Sequence, residues 1–381
     1  MNVNETEPGR LRTAIFRHTL YLPSEQFIPL QAAALSAEKL MVARDVIENV
    51  PDDMSADHVS ISSLGRSAVL RHTLAVDPQP LVDLLAGRRL QLLHAHFGVE
   101  GMYSISAARR LEIPHVTTLH GFDVSLTRRA FLASRRPAWI HFAVRRRATL
   151  TSGSTLVCVS KHVQTLALLH GAKPENTVVI GTGVDTTKLS VRPRVDRARV
   201  VHVARLVEKK GTRYLIESLA LVARAVPDVE LRIVGDGPLR HDLEQLVADL
   251  GLENRVSFLG ALAHEQVLEE IRDASLLCLP SVTAASGDQE GLGQVILEAG
   301  AIGRPVVATQ HGGIVDGVLD GESGILVPER NTSALAEALV SILESPAQAE
   351  KLGHAARRFV VRNFDVHSQA QKLERLYNQL V

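Results

Sequence analysis

Residues 290–298 read Glu-Gly-Leu-Gly-Gln-Val-Ile-Leu-Glu, and the interpretation of the whole chain starts from this run. Its two glutamates, Glu290 and Glu298, stand eight positions apart (298 − 290). Eight residues of α-helix turn through about 800°, so the spacing predicts two carboxylates on the same side, roughly two turns apart. A carboxylate can accept two hydroxyl hydrogen bonds, which suits the vicinal diols of sugars and ribose. The glycines allow a ligand close to the backbone, and free N–H groups at a helix start favour an anion.

Taken alone, the same run also fits a surface helix that carries two solvated glutamates. Its surroundings favour a binding site, because an apolar strand and the polar loop 281–289 precede it. In parallel α/β sheets, ligands bind at the carboxyl ends of the strands.

The segments on either side alternate between short apolar strands and amphipathic helices. Strands are predicted at 200–204, 231–234, 256–259, 276–279, 305–309 and 324–327. Such alternation is typical of a parallel sheet covered on both faces. The first half repeats the theme less clearly, with predicted strands at 90–95, 115–119, 155–159 and 177–180 and a weaker one at 13–20.

The predicted fold class is therefore α/β, with two Rossmann-like, doubly wound domains that face a central cleft. We expect an N-terminal domain over 1–190 and a C-terminal domain over 197–381, with a polar linker at 190–194. The sequence leaves open whether the last helix, 367–380, packs on the first domain. The cleft is the expected ligand site.

Composition excludes several classes of protein. Lys+Arg and Asp+Glu each total 42, and a net charge of zero argues against a nucleic-acid-binding protein. The two cysteines, Cys158 and Cys278, lie far apart in apolar runs, which favours buried thiols over disulfides or a zinc cluster. No apolar stretch reaches the roughly 18 residues that span a bilayer, and residues 1–10 lack the apolar core of a signal peptide. We expect a cytoplasmic protein.

Taken together, the motifs resemble those of retaining glycosyltransferases of family four, which have the two-Rossmann GT-B fold. Supporting runs in the second half are 204–207 with 210–211, 235–238, 303–309, 312–313 and 324–328. In the first half they are 94–98, 120–123 and 159–160, and residues 22–28 resemble a segment of exopolysaccharide-type members. The resemblance implies a hexosyltransferase-type enzyme that moves a sugar from a nucleotide-diphosphate donor to a saccharide or lipid-linked saccharide acceptor. It also implies that the domain over 197–381 binds the nucleotide sugar and that the domain over 1–190 lies on the acceptor side.

The resemblance also implies roles for individual residues. Arg205 and Lys210 follow a strand end, where a guanidinium and an ammonium could grip a diphosphate. In the family such residues stabilise the charge that grows on the leaving diphosphate, so neither a metal nor a cofactor is expected besides the donor substrate. Without the resemblance, both could equally be solvated cations in a turn.

The remaining implied donor contacts lie in the opening run. The resemblance gives Glu298 the ribose hydroxyls and Glu290 the transferred sugar, and it brings the backbone of Gly291, Leu292 and Gly293 close to the donor. His120, at the end of the strand 115–119, is expected near the donor sugar and the reacting centre.

Two positions depart from the family's pattern. After the Gly312-Gly313 pair the family commonly has a proline and a glutamate, whereas this chain continues with Ile314, Val315 and Asp316. Thr182 stands where asparagine is usual. Neither position carries a predicted catalytic role.

Seven arginines crowd the segment 128–147, which has no acid from Ala130 to Leu150. A basic helical surface with Trp139 and Phe142 as apolar anchors could contact an anionic membrane, and a solvated helix face is the alternative.

Two other functions compete with a glycosyltransferase. A nucleotide-sugar epimerase or a dehydrogenase should show a Gly-x-Gly-x-x-Gly turn after its first strand, and residues 11–23 lack it. A non-catalytic nucleotide-sugar-binding subunit would have no need to keep Glu290, Glu298, Arg205 and Lys210 together.

Overall fold

The computed structural model describes residues 10–51, 54–191 and 197–381, and these contain two parallel β-sheets. The first sheet comprises β1 (Arg12–Arg17), β2 (Glu38–Ala43), β3 (Asp57–Ser60), β4 (Leu92–His96), β5 (His115–Leu119), β6 (Thr155–Cys158) and β7 (Thr177–Val179). The second comprises β8 (Arg199–Val203), β9 (Glu230–Val234), β10 (Val256–Gly260), β11 (Leu276–Leu279), β12 (Val306–Thr309) and β13 (Gly324–Val327). Their spatial orders are β3-β2-β1-β4-β5-β6-β7 and β10-β9-β8-β11-β12-β13. The predicted pair of Rossmann-like domains is confirmed.

Helices cover both faces of each sheet. Those of the first half are α1 (Phe27–Ala34), α2 (Arg66–Ala75), α3 (Gln79–Leu85), α4 (Gly98–Arg110), α5 (Phe122–Ser125), α6 (Arg128–Ala133), α7 (Pro137–Leu150) and α8 (Lys161–Leu169). Those of the second half are α9 (Thr212–Ala225), α10 (Arg240–Asp249), α11 (His264–Arg272), α12 (Gln294–Ile302), α13 (Ile314–Gly317), α14 (Thr332–Leu343), α15 (Pro346–Phe364) and α16 (Val366–Leu380). None of the described helices combines the length and apolarity needed to cross a bilayer.

Burial of short apolar strands holds each domain together. All four residues of β11 are buried, as are all four of β12. A strand buried on both faces must be apolar along its whole length, and each large side chain contributes about 1.5–3 kcal/mol. This continuous pattern is what the sequence shows at these two strands.

The sequence prediction missed β2 and β3, the two outermost strands on one side of the first sheet. β2 begins with Glu38 and Lys39, and β3 has only one apolar residue, Val59. β3 lies at the edge of the sheet and is only partly buried, so most of its residues are polar, whereas in β2 the two charged residues precede four fully buried apolar ones at 40–43.

The last helix, α16, lies against α1 and the first sheet. The hydroxyl of Tyr377 is 2.6 Å from Nδ1 of His94, and Glu374 accepts a hydrogen bond of 3.0 Å from the backbone N–H of Ala37. We propose on this basis that the first domain is completed by the end of the chain. The described residues do not include 192–194 of the predicted linker. They also do not include 1–9 of the N-terminal segment, for which no signal peptide is predicted.

Candidate active site

The carboxyl ends of the two sheets face one cavity of about 1320 Å³. Loops after β1, β4 and β5 line it from the first domain, and loops after β8, β9, β10 and β11 line it from the second. All the predicted site residues border this cavity: His120, Arg205, Lys210, Glu290, Gly291, Leu292, Gly293 and Glu298. The volume exceeds the 300–1,000 Å³ usual for one small ligand, so the cavity has room for two substrates.

The helical argument for the two glutamates was wrong. α12 begins at Gln294, and Gly293 precedes it with a φ of +80°, a left-handed conformation that favours glycine. Glu290 therefore lies in the loop before the helix, and only Glu298 belongs to it. The loop and the helix still bring both side chains to the same cavity.

A second constraint, besides the expected close approach of a ligand, favours glycine at 291. A Cβ atom there would lie 1.9 Å from the carbonyl oxygen of His120, and one on Gly121 would lie 3.0 Å from Cα of Gly291. The hydroxyl of Ser160 also donates a 2.6 Å hydrogen bond to the Gly291 carbonyl. Gly291 is thus a point where the backbones of the two domains touch, in addition to lining the cavity.

Lys210 and Glu290 form an ion pair at the centre of the second-domain wall. Lys210 Nζ lies 2.6 Å from Glu290 Oε2, and the Glu290 residue is only 8% exposed. Burial alone would raise the pKa of this carboxyl, but the ammonium groups of Lys210 and Lys209 hold the pKa at about 2. Lys210 has three N–H donors, so two remain for a ligand phosphate.

Arg205 offers a second cation at the same edge. It follows β8, its side chain is exposed, and it has no ion pair among the residues that the structure describes. Its neighbour Lys209 is instead held 3.1 Å from Asp288 and 3.3 Å from the carbonyl of Gln289. A guanidinium free to form a bidentate contact suits a phosphate.

Glu298 pairs with a histidine that the sequence analysis missed. Nε2 of His264, the first residue of α11, lies 2.9 Å from Glu298 Oε1. The hydrogen bond to this carboxylate raises the pKa of His264. The signal available in the sequence was the position of His264, four residues after the end of β10, at the carboxyl edge of the sheet.

His120 lies among aromatic rings on the opposite wall. Its Nε2 is 3.1 Å from Nδ1 of His96, and its ring centroid is 4.4 Å from that of Phe97 and 4.9 Å from that of Phe27. Burial lowers the pKa of His120 to about 3, so the imidazole is neutral at physiological pH.

Asp123 fixes the loop that carries His120. Its two oxygens accept hydrogen bonds from the backbone N–H groups of His120 (2.8 Å) and Gly98 (2.7 Å). The carboxyl therefore joins the His120 loop to the start of α4, which lies earlier in the chain.

The two departures from the family's pattern both lie at contacts between the domains. Asp316 accepts a 2.8 Å hydrogen bond from the backbone N–H of Lys161, the first residue of α8. Thr182 donates a 2.7 Å hydrogen bond to Gln294, the first residue of α12. Each side chain joins one domain to the other beside the cavity.

The membrane anchor expected at Phe142 was wrong. Phe142 has no exposed surface and packs in the core of the first domain, and Trp139 is half-buried against it and its neighbours. Arg146 is held as well, because it donates a 2.7 Å hydrogen bond to the Leu126 carbonyl. The segment forms two helices, α6 and α7, joined at 134–136, and its remaining arginines are exposed: Arg128 and Arg129 on α6, Arg135 and Arg136 in the connection, and Arg145 and Arg147 on α7.

Two family models match consecutive parts of the chain. Residues 185–359 match glycosyl transferases group 1, and residues 51–188 match glycosyltransferase family 4. The second match covers most of the first domain, and the first match covers Arg205, Lys210, Glu290 and Glu298.

Curated relatives and solved structures agree with these matches. The chain is 30% identical over 290 residues to the amylovoran biosynthesis glycosyltransferase AmsK of Erwinia amylovora, covering 75% of this chain and 69% of that protein. It is 31% identical over 301 residues to the putative colanic acid biosynthesis glycosyltransferase WcaL of Escherichia coli K12, covering 77% and 68%. The crystal structure of Anabaena HepE with UDP and glucose superimposes with a TM-score of 0.78 at 22% identity, covering 97% of this chain and all of that one.

Proposed function

The chain belongs to the group 1 glycosyltransferases, and we propose that it is a retaining enzyme with a nucleotide-diphosphate sugar as its donor. The acceptor is a saccharide or a lipid-linked saccharide, and the product belongs to polysaccharide or glycolipid biosynthesis. The names of the relatives AmsK and WcaL, which refer to amylovoran and colanic acid biosynthesis, support a role in polysaccharide biosynthesis.

The observation that carries the proposal is the arrangement of charge on the second-domain wall. Arg205 and Lys210 stand after β8 as two cations, and Glu298 stands on α12 as a carboxylate on the same wall. Two cations match a diphosphate, and a carboxylate matches the two hydroxyls of a ribose. A nucleotide diphosphate presents both groups to one protein surface.

In the proposed reaction, the bond between the anomeric carbon and the diphosphate breaks, and a bond from that carbon to an acceptor oxygen forms on the same face. The acceptor's proton leaves on the departing diphosphate. Arg205 and Lys210 stabilise the negative charge that develops there, and they need no metal to do so. Glu290, oriented by Lys210, contacts the transferred sugar.

Retention is further supported by the first-domain wall beside the donor site. Both oxygens of Asp123 already accept backbone hydrogen bonds, and Nε2 of His120 faces His96. The Asp123 carboxylate is therefore not placed as a free general base, which an inverting displacement by a hydroxyl would need.

The test is binding followed by transfer. We expect one of UDP, GDP or ADP to raise the melting temperature, since a ligand bound only to the native state stabilises it. The corresponding nucleotide sugars should then transfer their sugar to acceptor glycosides. A protein that binds none of these nucleotides would contradict the proposal.

We extend the proposal to location, in the cytoplasm with peripheral contact to the inner membrane face. Cys158 and Cys278 are unpaired and buried, and unpaired thiols are typical of proteins in a reducing compartment. The exposed arginines of α6 and α7 supply a basic surface, each worth about 1 kcal/mol near anionic lipid. The protein should sediment with anionic vesicles, and salt should release it because the Debye length is only about 8 Å at physiological ionic strength.

A further inference from the structure

The loop that carries Glu290 is long and contains neither helix nor strand. We call residues 280–293, between the end of β11 and the start of α12, the Glu290 loop. Residues 290–293 of this loop line the cavity, and Glu290 is only 8% exposed. A long segment without regular structure holds a side chain in one place only if contacts from elsewhere fix its backbone.

His311, which follows β12, holds the backbone of Glu290. The N–H of Glu290 donates a 3.1 Å hydrogen bond to Nε2 of His311, and the carbonyl of Glu290 accepts one of 2.9 Å from the N–H of Gly313. A backbone N–H can only donate, so Nε2 of His311 is an acceptor and the ring carries its proton on Nδ1. The tautomer of this histidine, which is 3% exposed, therefore follows from its contact with Glu290.

Glu329, which follows β13, binds the other side of the His311 ring. The Nδ1–H of His311 donates to Glu329 Oε1 over 2.6 Å. Glu329 Oε2 accepts a 2.9 Å hydrogen bond from the backbone N–H of Thr283, near the start of the Glu290 loop. One carboxylate thus ties the beginning of the loop directly and the end of the loop through His311.

The charge state of Glu329 suits this double contact. Burial alone would raise the pKa of its carboxyl, but the hydrogen bonds from the Thr283 backbone and from His311 lower the pKa below its usual range. The carboxylate is therefore ionised at physiological pH, and both of its oxygens remain acceptors.

His311 and Glu329 act on Glu290 from behind. Neither residue borders the cavity, so neither contacts a ligand held there. They fix the backbone of Glu290, whereas Lys210 contacts its side chain at 2.6 Å. A misplacement of about 1 Å in a group that orients a substrate can cost about 10²-fold in rate, so such support has a functional consequence.

We propose that His311 and Glu329 are positioning residues of the donor-sugar site: Glu329 fixes His311, and His311 fixes the backbone of Glu290 so that its carboxylate meets the transferred sugar. This inference rests on the proposed function, in which Glu290 contacts that sugar. Because the series of hydrogen bonds ends at Glu290, it should affect binding of the sugar half of the donor. Binding of the nucleotide half, assigned to Arg205 and Glu298, should stay unchanged.

Two substitutions at position 311 separate the two hydrogen bonds of the ring. Asparagine can place an amide N–H near the position of Nδ1 but does not reach Glu290, whereas glutamine can place a carbonyl oxygen near the position of Nε2. His311→Asn should therefore raise the dissociation constant of the nucleotide sugar about 2- to 10-fold, the loss of one neutral hydrogen bond. His311→Gln should lie closer to the wild type, and neither variant should change the dissociation constant of the nucleotide alone.

Calorimetric titration measures both constants. The probes are UDP with UDP-glucose, GDP with GDP-mannose and ADP with ADP-glucose, and the pair that the wild type binds is used for all variants. His115→Asn is the matched control, because both ring nitrogens of His115 also have partners, at 2.6 Å and 2.8 Å. His115 lies at the amino end of β5 and does not border the cavity, so its loss should lower the melting temperature and change neither constant.

A double-mutant cycle tests whether His311 acts through Glu290. In a Glu290→Ala background the side chain to be positioned is absent, so His311→Asn should no longer weaken binding of the nucleotide sugar. Glu329→Ala should behave as His311→Asn does in both backgrounds. Glu337→Ala, at an exposed glutamate on α14, is its control and should have no effect in either.

The outcomes separate this inference from the proposed function. The inference is overturned if His311→Asn leaves the affinity for the nucleotide sugar unchanged, or if it weakens the nucleotide and the nucleotide sugar equally. It is also overturned if the effect of His311→Asn persists in the Glu290→Ala background. A wild type that binds no nucleotide would instead show that the proposed function itself is wrong.

Discussion

The two walls of the cleft satisfy their polar groups in opposite ways. On the second-domain wall, Lys210 pairs with Glu290 at 2.6 Å and His264 with Glu298 at 2.9 Å. On the first-domain side, His18, His72, Thr73 and Glu100 contain five buried polar atoms without hydrogen-bond partners. The buried charged side chains on both walls have ionic partners, Glu100 through Arg17, and most of the unpaired atoms belong to neutral side chains, because an unpaired neutral group costs less than an unpaired ion.

The largest effect is expected at Arg205 and Lys210, the two cations of the second-domain wall. Arg205→Ala and Lys210→Ala should each lower kcat about 10²–10³-fold, the usual loss when one group that stabilises transition-state charge is removed. Only Lys210→Ala should also lower the melting temperature, because it leaves Glu290 buried without its partner. Steady-state kinetics and thermal unfolding check both statements.

Arg213→Ala is the matched control for these variants, since Arg213 is an exposed arginine on α9 paired with Glu217. It should leave kcat unchanged. A chelator should leave the wild-type rate unchanged as well, and a strict need for magnesium or manganese would contradict the metal-free mechanism.

The next effect concerns Glu298. Glu298→Ala should weaken nucleotide binding about 10- to 100-fold, since a hydrogen bond to a charged group contributes about 1.5–3 kcal/mol. Calorimetric titration with the preferred nucleotide measures this directly, with Glu337→Ala, an exposed glutamate on α14, as control. Equal affinity in Glu298→Ala and the wild type would show that the ribose lies elsewhere.

The smallest effect is the pH dependence of the His264–Glu298 pair. Glu298 raises the pKa of His264, helped by Glu265, so the pair stabilises the fold fully below the ordinary histidine pKa of about 6.5. This contribution is lost as the pH rises through the raised pKa. His264 is 44% exposed, so the effect stays below about 1 kcal/mol. Melting curves from pH 5.5 to 8.5 should fall more steeply for the wild type than for His264→Gln, and parallel curves would contradict the pairing.

The two walls also differ in how far the sequence predicts them. The residues of the second-domain wall can be predicted from local patterns. Arg205 and Lys210 come shortly after β8, and Glu298 lies in one short run with Glu290. In a parallel sheet, residues that follow the carboxyl end of a strand lie at the edge where ligands bind. Those residues could therefore be placed at the cleft before the structure was available.

Other features depend on the tertiary structure. The glycine at 291 is explained by the approach of the His120 carbonyl, 171 positions earlier in the chain (291 − 120), which no local pattern reveals. The ring contacts among His18, His72 and Tyr103 join residues that are far apart in the chain, and only the packing of α2 and α4 against β1 brings them together. The sequence predicts Phe142 in α7 as an exposed aromatic residue among arginines, but the helix directs it into the core.

The stereochemistry of the product tests the central claim most directly. Proton NMR of the product formed from the preferred nucleotide sugar and an octyl glycoside reports the anomeric configuration of the new bond. We predict that it matches the configuration of the sugar in the donor, as a retaining glycosyltransferase requires. A new bond of the opposite configuration would contradict the account.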